Sequence, residues 1–267
     1  MKIINIFQKR AATGILMLAV LASTFTACKK TEGVKPDTTT PETTTPTRDA
    51  DKVPYYKLQR VENLAAQTDD QNPTTPKTEI FFSLDYKKEQ PATYAKTSFW
   101  DISLSGLYNS FLGGNNNTDA TNSGYQGPGK GGITIVQQAF DNVTAIPAAA
   151  DFKTGKGLIG TDDKGSFGTG TGWYLYDFGG TVVGDGGATK VHVAYALGDP
   201  LKLTDGSTLA ARTIIVKTAS GDFAKIKMIS CYKDVFTPDQ MFTNTPHMYF
   251  TFEYVIVPAG STKFEIK

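Results

Sequence analysis

The sequence predicts an all-β protein: a single domain of curved antiparallel sheet, or a sandwich, with at most a short helix. Three observations carry that expectation. Runs rich in aromatic and β-branched residues recur from Val53 onwards, glycine and proline punctuate them (26 and 13 residues), and helical periodicity is weak throughout. The one segment that suits a short helix is Lys57 to Ala66.

The strands follow in order. Ile80 to Leu84, Ser98 to Leu104 and Ile133 to Phe140 are short apolar runs bounded by turn residues. Trp173 to Phe178 and Lys190 to Ala196 are aromatic or alternating. Arg212 to Thr218 and Asp222 to Tyr232 flank Ala219-Ser220-Gly221, a three-residue hairpin loop with glycine where a positive φ is commonly required. His247 to Val257 alternates most clearly. Met248, Phe250, Phe252, Tyr254 and Ile256 mark a core face, and the other face is wet or lined by a neighbour. Thr262 to Ile266 completes the set.

Ahead of this body stands a different kind of chain. Lys2, Lys9 and Arg10 form a basic start, Ala11 to Ala22 is uncharged and apolar, and Phe25-Thr26-Ala27-Cys28 places small residues and a cysteine where a lipoprotein signal is cut. Residues 1 to 27 therefore read as a signal peptide, and Cys28 as the acylated first residue of the mature chain. An apolar run of about twelve residues is too short to span about 30 Å of hydrocarbon. Acyl chains hold instead, at roughly 0.8 kcal/mol per buried CH₂. The expected location is the outer membrane, lipid-anchored, on the cell surface or the periplasmic face.

Residues 28 to 52 are rich in Thr and Pro and nearly free of aliphatic side chains, so they are expected to be a disordered stalk carrying the domain at 53 to 267. A domain of about 200 residues buries roughly 70% of its unfolded surface, enough to stand on packing alone. It must do so, because with Cys28 acylated only Cys231 remains and no intramolecular disulfide can form. Losing the leader removes three of the 27 basic residues and none of the 26 acidic ones, leaving a slightly negative chain. That balance offers no electrostatic case for nucleic acid.

Enzymatic motifs are missing. Gly124 to Gly131 approaches a phosphate-binding loop, but Gly131 replaces the Ser or Thr hydroxyl and a strand follows where a helix is needed. The two histidines, His192 and His247, sit in no GxSxG, HExxH or zinc-ligand context, and Asp162-Asp163 reads as a solvated turn. The chain is not expected to be an enzyme. Glycine-rich Gly165 to Gly172 runs into Trp173-Tyr174-Leu175-Tyr176, which reads either as a hairpin approach with Trp173 in the core or as an apolar slot for a flat ligand.

Several of these strands also carry a resemblance. Trp100-Asp101-Ile102, Thr121-Asn122-Ser123-Gly124, Gly172-Trp173-Tyr174-Leu175-Tyr176, Gly221 to Lys227, Ser230-Cys231-Tyr232-Lys233 and Tyr249 to Tyr254, in this order and spacing, resemble the HmuY-like family of Gram-negative lipoproteins. Cys231 departs from the pattern, standing where these proteins usually show a tyrosine, and reads as a small buried hydrophobe. The resemblance implies an all-β fold that captures haem between two loop or hairpin elements and delivers it to an outer-membrane receptor. It also implies axial ligands from the segments before and after the Gly-Trp-Tyr strand, two histidines in one branch and methionines in another.

In this chain residues 151 to 171 hold neither residue type, and 177 to 211 hold only His192. By that implication His192 is the single candidate for a family-type iron ligand, although its small neighbours suit a surface histidine equally, with Trp173, Tyr174 and Tyr176 as candidate walls of a haem cleft between the loops at Gly160 to Gly172 and Gly184 to Leu203. On strand alternation His192 shares a face with Ala194 and Ala196. Met228 and Met248 read as core. Met241 and His247, beside Phe236, Phe242 and Pro246, belong to an exposed apolar cluster and carry no assigned role. The alternative to haem capture is a surface β-module that binds another apolar small molecule or a partner protein.

Overall fold

A computed structural model describes residues 48–267. The leader, Cys28 and the Thr/Pro-rich stretch up to residue 47 lie outside the described residues. In chain order the strands are β1 (Gln59–Ala65), β2 (Ile80–Ser83), β3 (Lys88–Gln90), β4 (Ile102–Ser105), β5 (Phe111–Gly114), β6 (Gly132–Val136) and β7 (Tyr174–Asp177). They continue with β8 (Val193–Ala196), β9 (Leu201–Lys202), β10 (Thr208–Leu209), β11 (Thr213–Lys217), β12 (Phe223–Tyr232) and β13 (His247–Val257). Among the described residues there is no α-helix, only short 3-10 turns, and no helix long and apolar enough to cross a membrane.

The expected all-β, antiparallel domain is what the chain forms. A five-stranded sheet runs β1-β13-β12-β11-β6 and a four-stranded one β3-β2-β4-β5, with two separate ribbons, β7-β8 and β9-β10. The two large sheets share one core. Ile80, Phe82, Ile102 and Leu104 from the smaller sheet pack in the same cluster as Ile226, Met228, Phe250, Phe252 and Tyr254 from the larger. Phe82 meets Phe252 edge to face at 5.5 Å, and the Tyr254 hydroxyl donates to the Leu84 carbonyl at 2.8 Å. Both observations fit sheet-on-sheet packing about an aromatic centre. A second, smaller cluster of Phe140, Val143, Ile215, Val255, Val257 and Phe264 covers the opposite face of the five-stranded sheet. The far face of β13 is therefore lined by neighbours at its C-terminal end, through Val255 and Val257.

The β11-β12 hairpin turns as expected. Thr218 N–H donates to Asp222 at 2.8 Å, and Gly221 carries φ +101°, a value that strains a side chain with a Cβ. Other expectations are corrected. Lys57 to Ala66 is no helix but contains edge strand β1, paired with β13. Its register slips between Val61 and Leu64, where Asn63 has φ +55°. One extra residue in a strand turns an i, i+2 apolar spacing into i, i+3, which imitates a helix.

Thr262 to Ile266 forms no strand. A single bridge joins Ala145 to Lys263, and Phe264 alone plugs into the second cluster. Phe140 leaves β6 for a 3-10 turn, and residues 98 to 100 precede β4 as loop. The short strands β3, β5, β9 and β10 escaped sequence reading because two to four residues carry no measurable period. The domain also begins earlier than residue 53: the Arg48 guanidinium is buried, pairs with Asp85 and Asp222, and lies 4.2 Å over the Tyr55 ring.

The β12-β13 pairing breaks register twice, between Met228 and Ser230 and again between Ser230 and Tyr232. The β1 bulge faces the same place, since Asn63 N–H donates to the Thr251 hydroxyl at 3.1 Å. Three strands thus crease together around Thr251. Beyond that crease the ends of β12 and β13 turn Cys231, Tyr232, His247 and Met248 towards a cavity.

Candidate functional site

The cavity has a volume of about 570 Å³, within the range of about 300–1,000 Å³ that small-molecule sites occupy. Its first contributor is the β7-β8 ribbon. Tyr176 pairs with Ala194, and Tyr174, Tyr176 and Phe178 project with Ala194 and His192 into the cavity, while Leu175, Val193 and Tyr195 point to the core. The small Ala194 leaves space beside the Tyr176 ring.

The approach to this ribbon is held tightly. Asp162 N–H donates to the Tyr174 carbonyl at 2.8 Å, Trp173 N–H to Gly160 at 2.9 Å and Ser166 N–H to Tyr176 at 2.8 Å, so the preceding segment runs alongside β7. Gly172 is required for that approach, because a Cβ there would lie 2.2 Å from the Thr161 carbonyl carbon. The loop then delivers Phe167, which is 74% exposed, onto Tyr176 at 6.1 Å and Phe178 at 5.7 Å.

His192 precedes β8 with φ +59°, a left-handed conformation that histidine tolerates better than most residues. Its backbone N–H donates to the Phe178 carbonyl at 3.1 Å, and its ring meets Phe178 edge to face at 4.5 Å. Nδ1 lies 2.9 Å from the Tyr176 hydroxyl. With the Nδ1 proton directed to that oxygen, Nε2 presents a free lone pair, and no described residue bonds it.

A second group of lining residues surrounds His247. Its Nδ1 donates to the Thr245 carbonyl at 3.2 Å and its Nε2 bonds the Asp70 carboxylate at 2.9 Å. Tyr108 and Tyr232 flank the ring at 5.9 and 6.3 Å, each edge to face. Asp70 rides on an exposed loop shaped by Asp69, whose carboxylate accepts the Gln71 and Asn72 N–H groups. Those hydrogen bonds, Asn72 foremost, hold the Asp69 carboxyl below its ordinary range.

Burial, and then the Asp70 carboxylate, push the Tyr108 phenol up to about 12. Burial likewise raises Tyr174, Tyr176 and Tyr232, so the tyrosines of the site are neutral at ordinary pH. The Tyr174 hydroxyl shares a hydrogen bond with Ser110 Oγ at 2.9 Å, and the Tyr232 hydroxyl accepts the Ala194 N–H at 2.9 Å. Both keep their polar ends satisfied inside an apolar lining.

The four residues singled out from sequence, His192, Trp173, Tyr174 and Tyr176, all line this cavity. Trp173 is also core: it is 1% exposed and its Nε1 donates to the Ser110 carbonyl at 2.7 Å. Both expected loop segments contribute, Thr161 and Phe167 from the first and His192 from the second, but they cluster around the same ribbon, and the rest of the lining comes from segments at 70–74, 107–111, 231–232 and 243–248.

Sequence reasoning missed His247, Met248, Asp70 and Tyr108. Nothing in local sequence shows the crease that turns β13 to the cavity, although the left-handed φ of Met248, +29°, marks it in the structure. Met241 is buried, not exposed, and Phe242 beside it is covered by the Lys190 ammonium at 3.9 Å. Asp162 is corrected as well: it is fully buried and paired with Arg212.

Haem needs a flat apolar slot, aromatic contact, hydroxyl or cationic partners and a nitrogen or sulfur ligand. The residues present fit it in volume, in aromatic lining, in the hydroxyls of Thr74, Thr161 and Thr243, and in the open Nε2 of His192. No lysine or arginine lines the cavity among the described residues. No group of three or more His, Cys, Asp or Glu among the described residues could hold a bare metal ion. No protein-family model and no curated protein matches this sequence.

Proposed function

We propose that this chain is a lipid-anchored, haem-binding protein that captures haem for uptake and holds it in the cavity beside the β7-β8 ribbon. One observation carries the reading. An aromatic cavity of about 570 Å³ receives a histidine whose Nδ1 is engaged by Tyr176 and whose Nε2 is free. Bound haem would supply a ferric or ferrous iron in need of axial ligands; the chain supplies walls, hydroxyls and His192. Its work is binding and release without turnover, and its partner an outer-membrane receptor. The acyl anchor expected at Cys28 keeps it on the outer membrane, at the cell surface or the periplasmic face. The HmuY-like resemblance is consistent with this reading and adds the expectation of hand-over.

The measurement is a haemin titration of the full chain. A saturable Soret shift with one site is expected, altered in His192→Ala; a titration that follows buffer alone overturns the reading.

A second reading has its own support. The lining lacks lysine and arginine and includes Asp70, which suits an apolar ligand without carboxylates better than one with two propionates. In that case the domain is a surface β-module for a neutral apolar molecule. Competition between haemin and its dimethyl ester separates the two: preference for the free acid supports haem, preference for the ester the alternative.

A further inference from the structure

Every stretch of chain that lines the cavity is fastened to the body, with one exception. The stretch at 107–111 is held by Asn109 Nδ2, which donates to the Thr78 carbonyl at 2.8 Å, and by the Trp173 bond to Ser110. The one at 243–248 is held by Thr243, whose N–H donates to Thr189 at 2.9 Å and whose hydroxyl donates to Val191 at 2.6 Å. The approach to β7 bonds along that strand, and β7, β8, β12 and β13 are paired with neighbours.

The exception is the connection from β1 to β2, which supplies Asp70, Pro73 and Thr74 to the lining. None of its residues from 68 to 77 is buried, and none joins either core cluster. Its hydrogen bonds stay within it. Asp69 accepts the Gln71 and Asn72 N–H groups, Thr75 N–H donates to the Asn72 carbonyl at 3.1 Å, and Lys77 Nζ donates to the carbonyls of Asn72 and Thr75. At the neck Thr78 N–H donates to Gln67 Oε1 at 3.1 Å, so the two ends of the loop lie together. Just before the neck, Ala66 N–H is fixed to the Met248 carbonyl at 2.8 Å. A compact loop with joined ends and its own internal bonds can swing as a unit about that neck.

One side chain ties the loop to the described residues beyond its neck. Asp70 Oδ1 bonds His247 Nε2 at 2.9 Å, with the Tyr108 phenol beside the same carboxylate. Asp70 is also the only carboxylate among the described residues that line the cavity, where a charge without a partner is costly. Its partner belongs to the opposite wall.

We propose that residues 68–77 form a lid on this cavity, latched shut by Asp70 on His247, and that ligand passes when the latch opens. The inference rests on the cavity's being a ligand site, as both readings above have it, and on neither ligand in particular. The Asp70 side chain is 62% exposed, and an ion pair so exposed holds weakly. The lid therefore opens readily, with no core contact to break, and its open fraction sets how fast ligand enters.

The test is a pair of rates. Stopped-flow association and dissociation are measured on full-length protein with haemin and, separately, with the neutral apolar dye Nile red. Asp70→Ala is expected to raise both rates together, by up to about fivefold, the equivalent of losing an exposed pair. The dissociation constant should stay within about twofold, because the latch closes the free and the loaded cavity alike. A chain in which residues 69–76 are replaced by two glycines, which the joined neck accommodates, should associate at least as fast as Asp70→Ala. Association at the wild-type rate in both variants overturns the lid. A change in dissociation alone, with altered affinity, makes Asp70 a ligand contact and overturns the latch. If haemin does not bind the wild-type chain, the haem reading falls and the dye rates decide the lid. Binding of neither probe overturns the ligand site and the lid with it.

Discussion

Arg212 grips Asp162 with two nitrogens, Nε at 3.1 Å and Nη2 at 3.0 Å, across fifty residues of chain and with both side chains almost wholly buried. The carboxylate also accepts N–H groups from Lys164 and Gly172. The pair therefore ties the glycine-rich approach of β7 to the start of β11. Removing one partner of a buried pair leaves the other charge without compensation, at a cost of about 3–5 kcal/mol. Arg212→Ala is expected to lose that much in urea denaturation. Replacing both residues together with apolar ones should cost less than the sum of the single losses. A loss under 1 kcal/mol in Arg212→Ala would show that the approach is held by its backbone bonds alone.

The exposed aromatics beside the cavity should matter for ligand and not for fold. Phe167 is 74% exposed and Phe178 47%, and they meet each other edge to face at 5.7 Å. Neither buries enough to stabilise the domain much, but each can contact a flat ligand. An aromatic contact contributes about 0.5–1.5 kcal/mol beyond burial, or roughly two- to tenfold in affinity. Phe167→Ser should weaken haemin binding by that factor with an unchanged melting temperature. A variant that binds haemin as the wild type does would place the ligand away from this rim.

How far the fold was legible depended on how long a pattern ran. β13 could be read because five apolar residues alternate over eleven positions, and no helix reproduces that period. β1 was misread because Asn63 adds a residue, and the slip hides the period in a seven-residue edge strand. Ala194 could be placed because β8 alternates, Val193 and Tyr195 inward and Ala194 outward, whereas His192 stands before the strand with a left-handed φ and reaches the cavity from that turn rather than by alternation. His247 could not be placed, because its approach to the cavity depends on register shifts in the paired strands β12 and β13, which no local window contains. Asp162 looked solvated among glycines; its partner, Arg212, is contributed by a strand start far along the chain.

Cys231 gives a chemical reading of how firmly the creased region is closed. The thiol is 2% exposed, and burial pushes it up to about 12, so the reactive thiolate is scarce at pH 8. A disulfide reagent should therefore leave the folded protein unmodified over hours and react at once in urea. Labelling that is fast under native conditions would mean that the ends of β12 and β13 open far more readily than the rest of the sheet.

Acid and base should act on stability through Asp101, which lies buried where the two sheets meet the β11-β12 turn. Its carboxylate accepts N–H groups from Leu84 at 2.8 Å, Asp85 at 3.3 Å and Ala219 at 3.1 Å. Those bonds favour the charged form, but burial and then the neighbouring Asp85 carboxylate act more strongly and raise Asp101 to about 7. An unfolded aspartate titrates near about 3.9, so between about pH 4 and 7 the native state holds a proton that the unfolded state has lost. Its contribution to stability is complete below about pH 4 and is lost as pH rises through about 7. Unfolding free energy measured by urea titration should accordingly carry a falling component across that window. Asp101→Asn, which cannot ionise, should be less stable where its amide opposes the three N–H donors, yet its pH profile should lack that component. Parallel profiles for the two proteins between pH 4 and 7 would show that the three N–H groups keep Asp101 charged throughout.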